Sequence, residues 1–391
     1  MYSITIQVLP RELTCLIANL LDARDAIEFG KSDKQTSNDL SMSDLGYIHF
    51  KPVFLNTFLN PETNYHRRHY IIGNFVSFIV QSLDELSYLP KNTQEIKFHD
   101  SFNETITKFP QLQHLRLVTF GRHFNRTIDN LEISTLPSLT HLEFGVEFNK
   151  SVKNLKLPNS LSHLTFRCFF DQPVDNLKLP FSGTFTHLTF SYYFNQRVNN
   201  LKLPPSLKVL SFGACFNKSV DELYFPEHSC LTTLKFGMAF NQSIDKLRLP
   251  LSGSFTHLTF GYNFNKPVEK LVLPKSLTHL SFGSDFNQPI EGLMMSHLKS
   301  LTLLSFGCHF NQPVYNMKLA LDGMLTHLIF GSRFDQSLMT LKLPRSLIIL
   351  ALGYSFRQPI DNIKLPTKCV IVKTEEYSYM IERLRRVVHI N

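Results

Sequence analysis

Apolar residues follow one rule through most of this chain. A segment of the form L-x-x-L-x-F runs into Gly, a second Phe lies four residues after the first, and V-x-x-L-x-L follows; SLTHLSFGSDFNQPIEGL at 276–293 shows the sequence of events. Anchored on the second Phe, the pattern recurs at Phe102, Phe124, Phe148, Phe170, Phe194, Phe216, Phe240, Phe264, Phe286, Phe310, Phe334 and Phe356, at intervals of 22 or 24 residues. Alternation of period two predicts two short strands per turn, one from each segment. In eight copies Pro ends the second segment, as in Pro158, Pro180 and Pro204, because Pro cannot donate to a ladder. Neither segment has the roughly ten residues that a helix needs. The longer copies carry two further residues after the Pro column (Pro180-FSGTF against Pro204-PSL), which lengthens a corner and keeps the strands in register.

Such turns stack as parallel strands roughly 4.8 Å apart. Eleven copies hold a Phe four residues before the anchor, with Leu352 in the last, so two inward columns account for 23 of the 35 Phe. The residue after the anchor is Asn in nine copies, Asp171 and Asp335 in two, and Arg357 in the last. An inward Asn both donates and accepts, and a stack of them can satisfy the backbone of a sharp corner. Leu352 and Arg357 mark the last turn as a terminal repeat. The motifs FNQP at 286–289 and FNKPV at 264–268 resemble the FNIP repeat, a divergent relative of leucine-rich repeats, over about Gln94 to Pro366. The resemblance implies a mostly β fold, a parallel β-solenoid of about twelve 22–24-residue turns, and leaves open whether it is a closed solenoid or an open horseshoe.

The first residues read differently. Leu13, Leu16, Ile17, Leu20 and Leu21 fall at helical spacing behind Pro10, and a second helix is predicted from Ala23 to Phe29. Leu9, Pro10, Glu12, Leu13, Ile17, Leu20, Asp22, Asp25, Lys34 and Leu40 resemble an F-box, although Gln35 stands where that motif has Trp. The resemblance implies that Leu9, Pro10, Leu13, Ile17 and Leu20 dock the Skp adaptor of a cullin ubiquitin ligase while the repeats select a target protein. The alternative is that these helices only cap the solenoid. The expected division is an F-box-like helical segment at 1–45, a linker and N-terminal cap at 46–93 with helical spacing from Ile71 to Leu86, repeats at 94–370, and a basic amphipathic capping segment at 371–391.

Outward positions of the first strand carry the candidate chemistry. Its leading column holds His141, His163, His187, His257, His279 and His327, interrupted by Glu95, Leu117, Val209, Thr233, Leu303 and Ile349; the next outward column is mostly Thr and Ser. A regular ladder does not converge three or four ligands on one ion, so the column is read as a target-binding face and not as a metal site. Acidic residues recur five positions after the anchor (Asp129, Asp175, Asp221, Asp245, Glu269, Glu291, Asp361) and basic ones eight after it (Lys156, Lys178, Lys202, Arg248, Lys318, Lys342, Lys364). Neighbouring carboxylates such as Asp221 and Asp245 raise the idea of a glycosidase pair. Spread along the whole array, however, the acidic column is better read as the partner of the basic one.

Composition sharpens this only slightly. The net charge of +8 permits an acidic partner without requiring one, and the basic column lacks the aromatic interleaving of a nucleic-acid surface. Six scattered Cys without a C-x-x-C pair fit a reducing compartment. There is no nucleotide-loop or H-E-x-x-H motif, no signal-peptide run and no stretch long enough to cross a membrane. The expectation is a cytoplasmic, non-catalytic substrate receptor without cofactor, acting in the host cytoplasm if the chain is viral, since F-box and FNIP combinations are known chiefly from social amoebae and the large DNA viruses that infect amoebae. The rivals are a repeat scaffold with no ubiquitin link and a β-solenoid glycoside hydrolase or lyase.

Overall fold

The computed structural model describes residues 77–374, apart from Asn130, Ser252 and Asn362. The chain divides into two compact units, one reaching Arg167 without residues 151–153 and one comprising those three and everything from Cys168. In the first, β1 (Ser77–Val80), β2 (Glu95–Phe98), β3 (Leu117–Thr119), β4 (His141–Glu143) and β5 (His163–Thr165) pair in parallel, each with the next. In the second, β6 (His187–Thr189), β7 (Val209–Ser211), β8 (Thr233–Lys235), β9 (His257–Thr259), β10 (His279–Ser281), β11 (Leu303–Ser305), β12 (His327–Ile329), β13 (Ile349–Gly353) and β14 (Val370–Thr374) do likewise. Equivalent repeat positions are register partners, as in Leu188 with Leu210 and Leu258 with Leu280. Each unit is a mostly β parallel solenoid. No helix among the described residues is long and apolar enough to cross a membrane.

Two expectations are corrected. The helical spacing over Ile71 to Leu86 does not give one helix. Phe78 and Val80 alternate inward and put Ser77–Val80 into the sheet, ahead of the first anchored turn. Among the described residues of this stretch only Leu83–Ser87 is helical (α1), with the Ser82 hydroxyl accepting the Glu85 N–H at 3.3 Å as an N-cap. At the other end β14 carries the sheet to Thr374. The V-x-x-L-x-L segment, in turn, is not a second strand. Its first two apolar residues are three apart, and both are buried, which period-two geometry forbids. The chain turns instead: the Leu177 N–H donates to the Val174 carbonyl at 2.9 Å, and Leu223 to Val220 and Leu271 to Val268 repeat the bond.

The Phe columns form the core as expected. Within a turn the rings lie close, as in Phe212–Phe216 at 4.1 Å, and between turns Phe212–Phe236 are 5.8 Å and Phe216–Phe240 6.0 Å apart, all stacked. Full burial of each ring contributes about 1.5–3 kcal/mol, and each favourable ring pair about 0.5–1.5 kcal/mol more. Turns approach closely at the residue after the first-Phe column, which is Gly in nine copies and His99, Arg167 and Ser191 in the others. A Cβ on Gly237 would lie 1.6 Å from the Gly213 carbonyl oxygen, and one on Gly145 would lie 1.8 Å from that of Gly121. The lengthened corners need glycine for a different reason: Gly183 and Gly253 have φ +89° with open space around them.

The residue after the anchor builds a second ladder. In the second unit the backbone N–H of Asn195, Asn217, Asn241, Asn265, Asn287, Asn311, Asp335 and Arg357 each donates to the Oδ1 of the equivalent residue one turn earlier, at 2.8–3.0 Å. In the first unit Asn125 and Asn149 do the same. The requirement is an acceptor, which explains why Asp171 and Asp335 substitute for Asn. Where the next residue is Gln, its amide reaches the same oxygen, as Gln312 does to Asn287 at 3.1 Å. The Arg357 N–H, then the Gln358 amide, hold the Asp335 carboxyl below the usual carboxylate range. Replacing Asn287 by Leu would strand the Asn311 N–H and leave the Gln312 amide only the residue 287 carbonyl, so Asn287→Leu is expected to destabilise by about 1–3 kcal/mol while Asn287→Asp costs far less. Urea denaturation of the two variants checks this, and equal losses would reject the ladder as a source of stability.

Candidate protein-binding face

Each three-residue strand buries its middle residue, Val118 in β3 and Leu in the others, and places its flanking residues on the outer side, where Ser305 and Ile329 are themselves buried. The six His lead their strands on this outer face, half-buried apart from the exposed His141. They do not form one ladder. Within the first unit His141 pairs with His163, their rings stacked at 4.2 Å and 12°; within the second His257 and His279 stack at 4.2 Å and 11°. His187 faces Val209, and His327 lies between Leu303 and Ile349.

Sequence reasoning missed the partner of each imidazole. The hydroxyl of the preceding residue (Thr140, Ser162, Thr186, Thr256, Thr278, Thr326) lies 2.8 Å from the His Nδ1 in all six cases. The signal was legible as an invariable Ser or Thr before each of these His. Five of the hydroxyls also lie within hydrogen-bonding distance of a carbonyl one turn earlier, such as Thr278 Oγ1 to the Thr256 carbonyl at 3.0 Å. A hydroxyl has one proton and a carbonyl can only accept. Both contacts are satisfied when the hydroxyl donates to the carbonyl and the imidazole donates from Nδ1, which makes Nε2 the acceptor. Burial, and secondarily the charge of His327, hold His279 below the ordinary imidazole range; burial does the same for His327. His279 and His327 are therefore neutral at pH 7, and the face presents ring surfaces and acceptor nitrogens beside Thr and Ser hydroxyls.

Other columns resolve less cooperatively. The acidic and basic columns do not pair as expected. Among the described residues the basic side chains eight after the anchor join no ion pair, whereas Asp245 meets Lys270, at the following position of the next turn, at 3.1 Å. The reason is the turn at V-x-x-L, which puts the acidic residue at a corner and the basic one beyond it. Asp129 accepts from the Asn154 amide at 3.1 Å. Asp221 and Glu222 line a groove of about 730 Å³ with Tyr224, Lys246 and Arg248, but Asp245 is not in its lining, so the pair that suggested a glycosidase is not brought to one cavity. No group of three or more His, Cys, Asp or Glu among the described residues is placed to hold a metal ion. Leu9, Pro10, Leu13, Ile17 and Leu20, with the whole segment 1–45, lie outside the described residues.

The FNIP Repeat family matches residues 124–169, 170–215 and 251–285, so the chain carries FNIP repeats. Among solved structures, the chain is similar to CroV588, described as a novel circular LRR protein, at 29% identity over 82% of this chain and 67% of that one, with a TM-score of 0.39. An internalin (inlF) from Listeria monocytogenes is similar at 13% identity over 68% of this chain and 77% of that one, TM-score 0.43. A leucine-rich repeat protein from Bacteroides ovatus is similar at 11% identity over 77% and 88%, TM-score 0.17. No curated protein matches the chain.

The depressed His fixes a pH dependence. An imidazole neutral in the fold and more basic when unfolded leaves stability intact above the free-histidine range near 6.5 and removes it as pH falls below. The thermal midpoint is expected to drop between about pH 6.5 and 5, and the doubly substituted His279→Gln/His327→Gln chain to drop less; an equal slope in both would show that these His do not couple to folding.

Proposed function

We propose that this chain is a non-catalytic substrate receptor. Its repeats hold a target protein, and its N-terminal segment recruits the Skp adaptor of a cullin ubiquitin ligase in the cytoplasm, the host cytoplasm if the chain is viral. The observation that carries the first half is the outer sheet face, where hydrogen-bonding His, Thr and Ser side chains repeat from turn to turn without an acid, base and nucleophile converging among the described residues. A surface of that kind recognises by extended complementarity, which suits a folded protein or a long segment of one. On this reading His141, His163, His187, His257, His279 and His327, with their hydroxyl partners, belong to the target face.

The second half is supported by the F-box-like residues, in which Leu9, Pro10, Leu13, Ile17 and Leu20 would bury apolar surface against the adaptor. The chain co-expressed with a Skp adaptor is expected to co-purify with it, and Leu13→Asp to abolish that while leaving the β-type circular dichroism unchanged. A folded chain that fails to bind any Skp adaptor would leave the scaffold reading without the ligase.

A further inference from the structure

The corner between the two Phe columns presents two outward positions per turn, and their chemistry changes along the array. Outside the middle of the array most turns place an ionisable side chain there (Asp100, Arg122, Glu147, Asp285, His309, Arg333), the last turn having Tyr354 and Ser355 instead, and neighbouring turns meet through His123 and Glu147 at 2.8 Å in the first unit and His309 and Asp285 at 3.0 Å in the second. In the five successive turns anchored at Phe170, Phe194, Phe216, Phe240 and Phe264 neither position is ever charged. They hold instead Phe169, Tyr192, Tyr193, Cys215, Met238 and Tyr262, among smaller residues. Phe169, Tyr192, Met238 and Tyr262 are 45%, 50%, 55% and 51% exposed. Corner backbone bonds run from turn to turn (Tyr193 N–H to Cys168 O at 2.9 Å, Cys215 to Tyr192 at 2.8 Å, Asn263 to Met238 at 2.8 Å), so the side chains form one row. Keeping so many large apolar groups half in water, on a surface that solves the same corner elsewhere with charges, points to a partner.

The row's borders say what kind. The last strand residue on one side, and the second and third residues after the anchor on the other, supply Arg197, Lys218, Lys235 and Lys266 in this stretch and no carboxylate. None of the four joins an ion pair among the described residues. Asp171, the carboxylate nearest in sequence, is already occupied by the Asn195 N–H and the Gln196 amide. Cations along an aromatic row also suit single-stranded nucleic acid. Here, however, Phe169 and Tyr193 stack on each other at 5.2 Å and 4°, so their facing surfaces are closed to bases. The middle of the row is Ala214, Cys215, Met238 and Ala239, which pack against aliphatic groups and offer no stacking platform. The corner N–H groups are spent within the array, so recognition runs through side chains and not through an added strand.

We infer that this row docks an extended acidic segment of the target protein, seating its apolar side chains on Phe169, Tyr192, Tyr193, Met238 and Tyr262 and its carboxylates against Arg197, Lys218, Lys235 and Lys266. The inference rests on the protein-binding reading above but names a different surface from the His face. The test is selection of displayed random peptides of about twelve residues on the full chain, followed by fluorescence anisotropy with an enriched peptide. Enriched sequences are expected to combine Asp or Glu with Phe, Leu or Met. Affinity is expected to fall about tenfold or more in Tyr192→Ser/Met238→Ser and in Lys218→Glu/Lys266→Glu, and to be unchanged in Lys178→Ala/Lys202→Ala, with circular dichroism verifying the fold of each. Peptides lost only in His257→Ala/His279→Ala would overturn this row and keep the scaffold reading; no enrichment at all would count against both. Tighter, row-dependent binding of oligothymidylate, or a sedimenting dimer broken by the row substitutions, would replace the peptide with nucleic acid or a second copy.

Discussion

Successive turns lie so near each other that in nine of twelve repeats the position after the first-Phe column is glycine, where a Cβ would strike the carbonyl of the turn before. That approach, fixed by the contact of the Gly column with the preceding carbonyl oxygens, sets the spacing at which everything else is made. At that spacing Phe rings stack, an Asn oxygen reaches the next backbone N–H, and a Thr hydroxyl spans from its own imidazole to a carbonyl of the turn before. None of these interactions is strong alone. Repetition at one spacing makes them additive in a way that an irregular fold rarely achieves.

What the sequence disclosed depended on whether a feature repeats within one turn or between turns. The Phe columns, the strand ending in L-x-F and the acceptor after the anchor are read from one aligned repeat, and they stand in the structure where alignment put them. The second segment was misjudged because V-x-x-L-x-L contains both a spacing of three and a spacing of two. Only the first decides its course, since a turn takes both residues inward. Ser77–Val80 was misjudged because a helical spacing over a long window hid four residues of alternation. The ion pairing of Asp245 with Lys270 needs knowledge of which residues adjoin across turns, and a linear column does not contain it.

The two candidate surfaces differ in how far sequence could reach them. The His face was visible as a column, yet its electrostatic state came from the hydroxyl before each ring, a neighbour so close in sequence that column reading skipped it. The aromatic corner was invisible in the opposite sense. Its positions vary from repeat to repeat, and a search for what is constant discards them. Constancy in this chain reports packing, while departures such as Tyr192, Met238 and Tyr262 report what faces outward. The two Phe columns belong to the first category, and Phe169, Tyr192, Tyr193 and Tyr262 lie outside it.

The Asn ladder has a direction. Within each unit a turn donates an N–H backward and offers an oxygen forward, so a turn inserted between the ends of either ladder finds both partners, provided that it carries Asn or Asp. Arg357 donates backward to Asp335 but has no oxygen to offer. It is a terminator in the sense of a growing polymer: whole turns can be gained or lost upstream by duplication or deletion without re-engineering any contact. The number of turns is thus a freely evolvable quantity, and with it the length of surface shown to a partner.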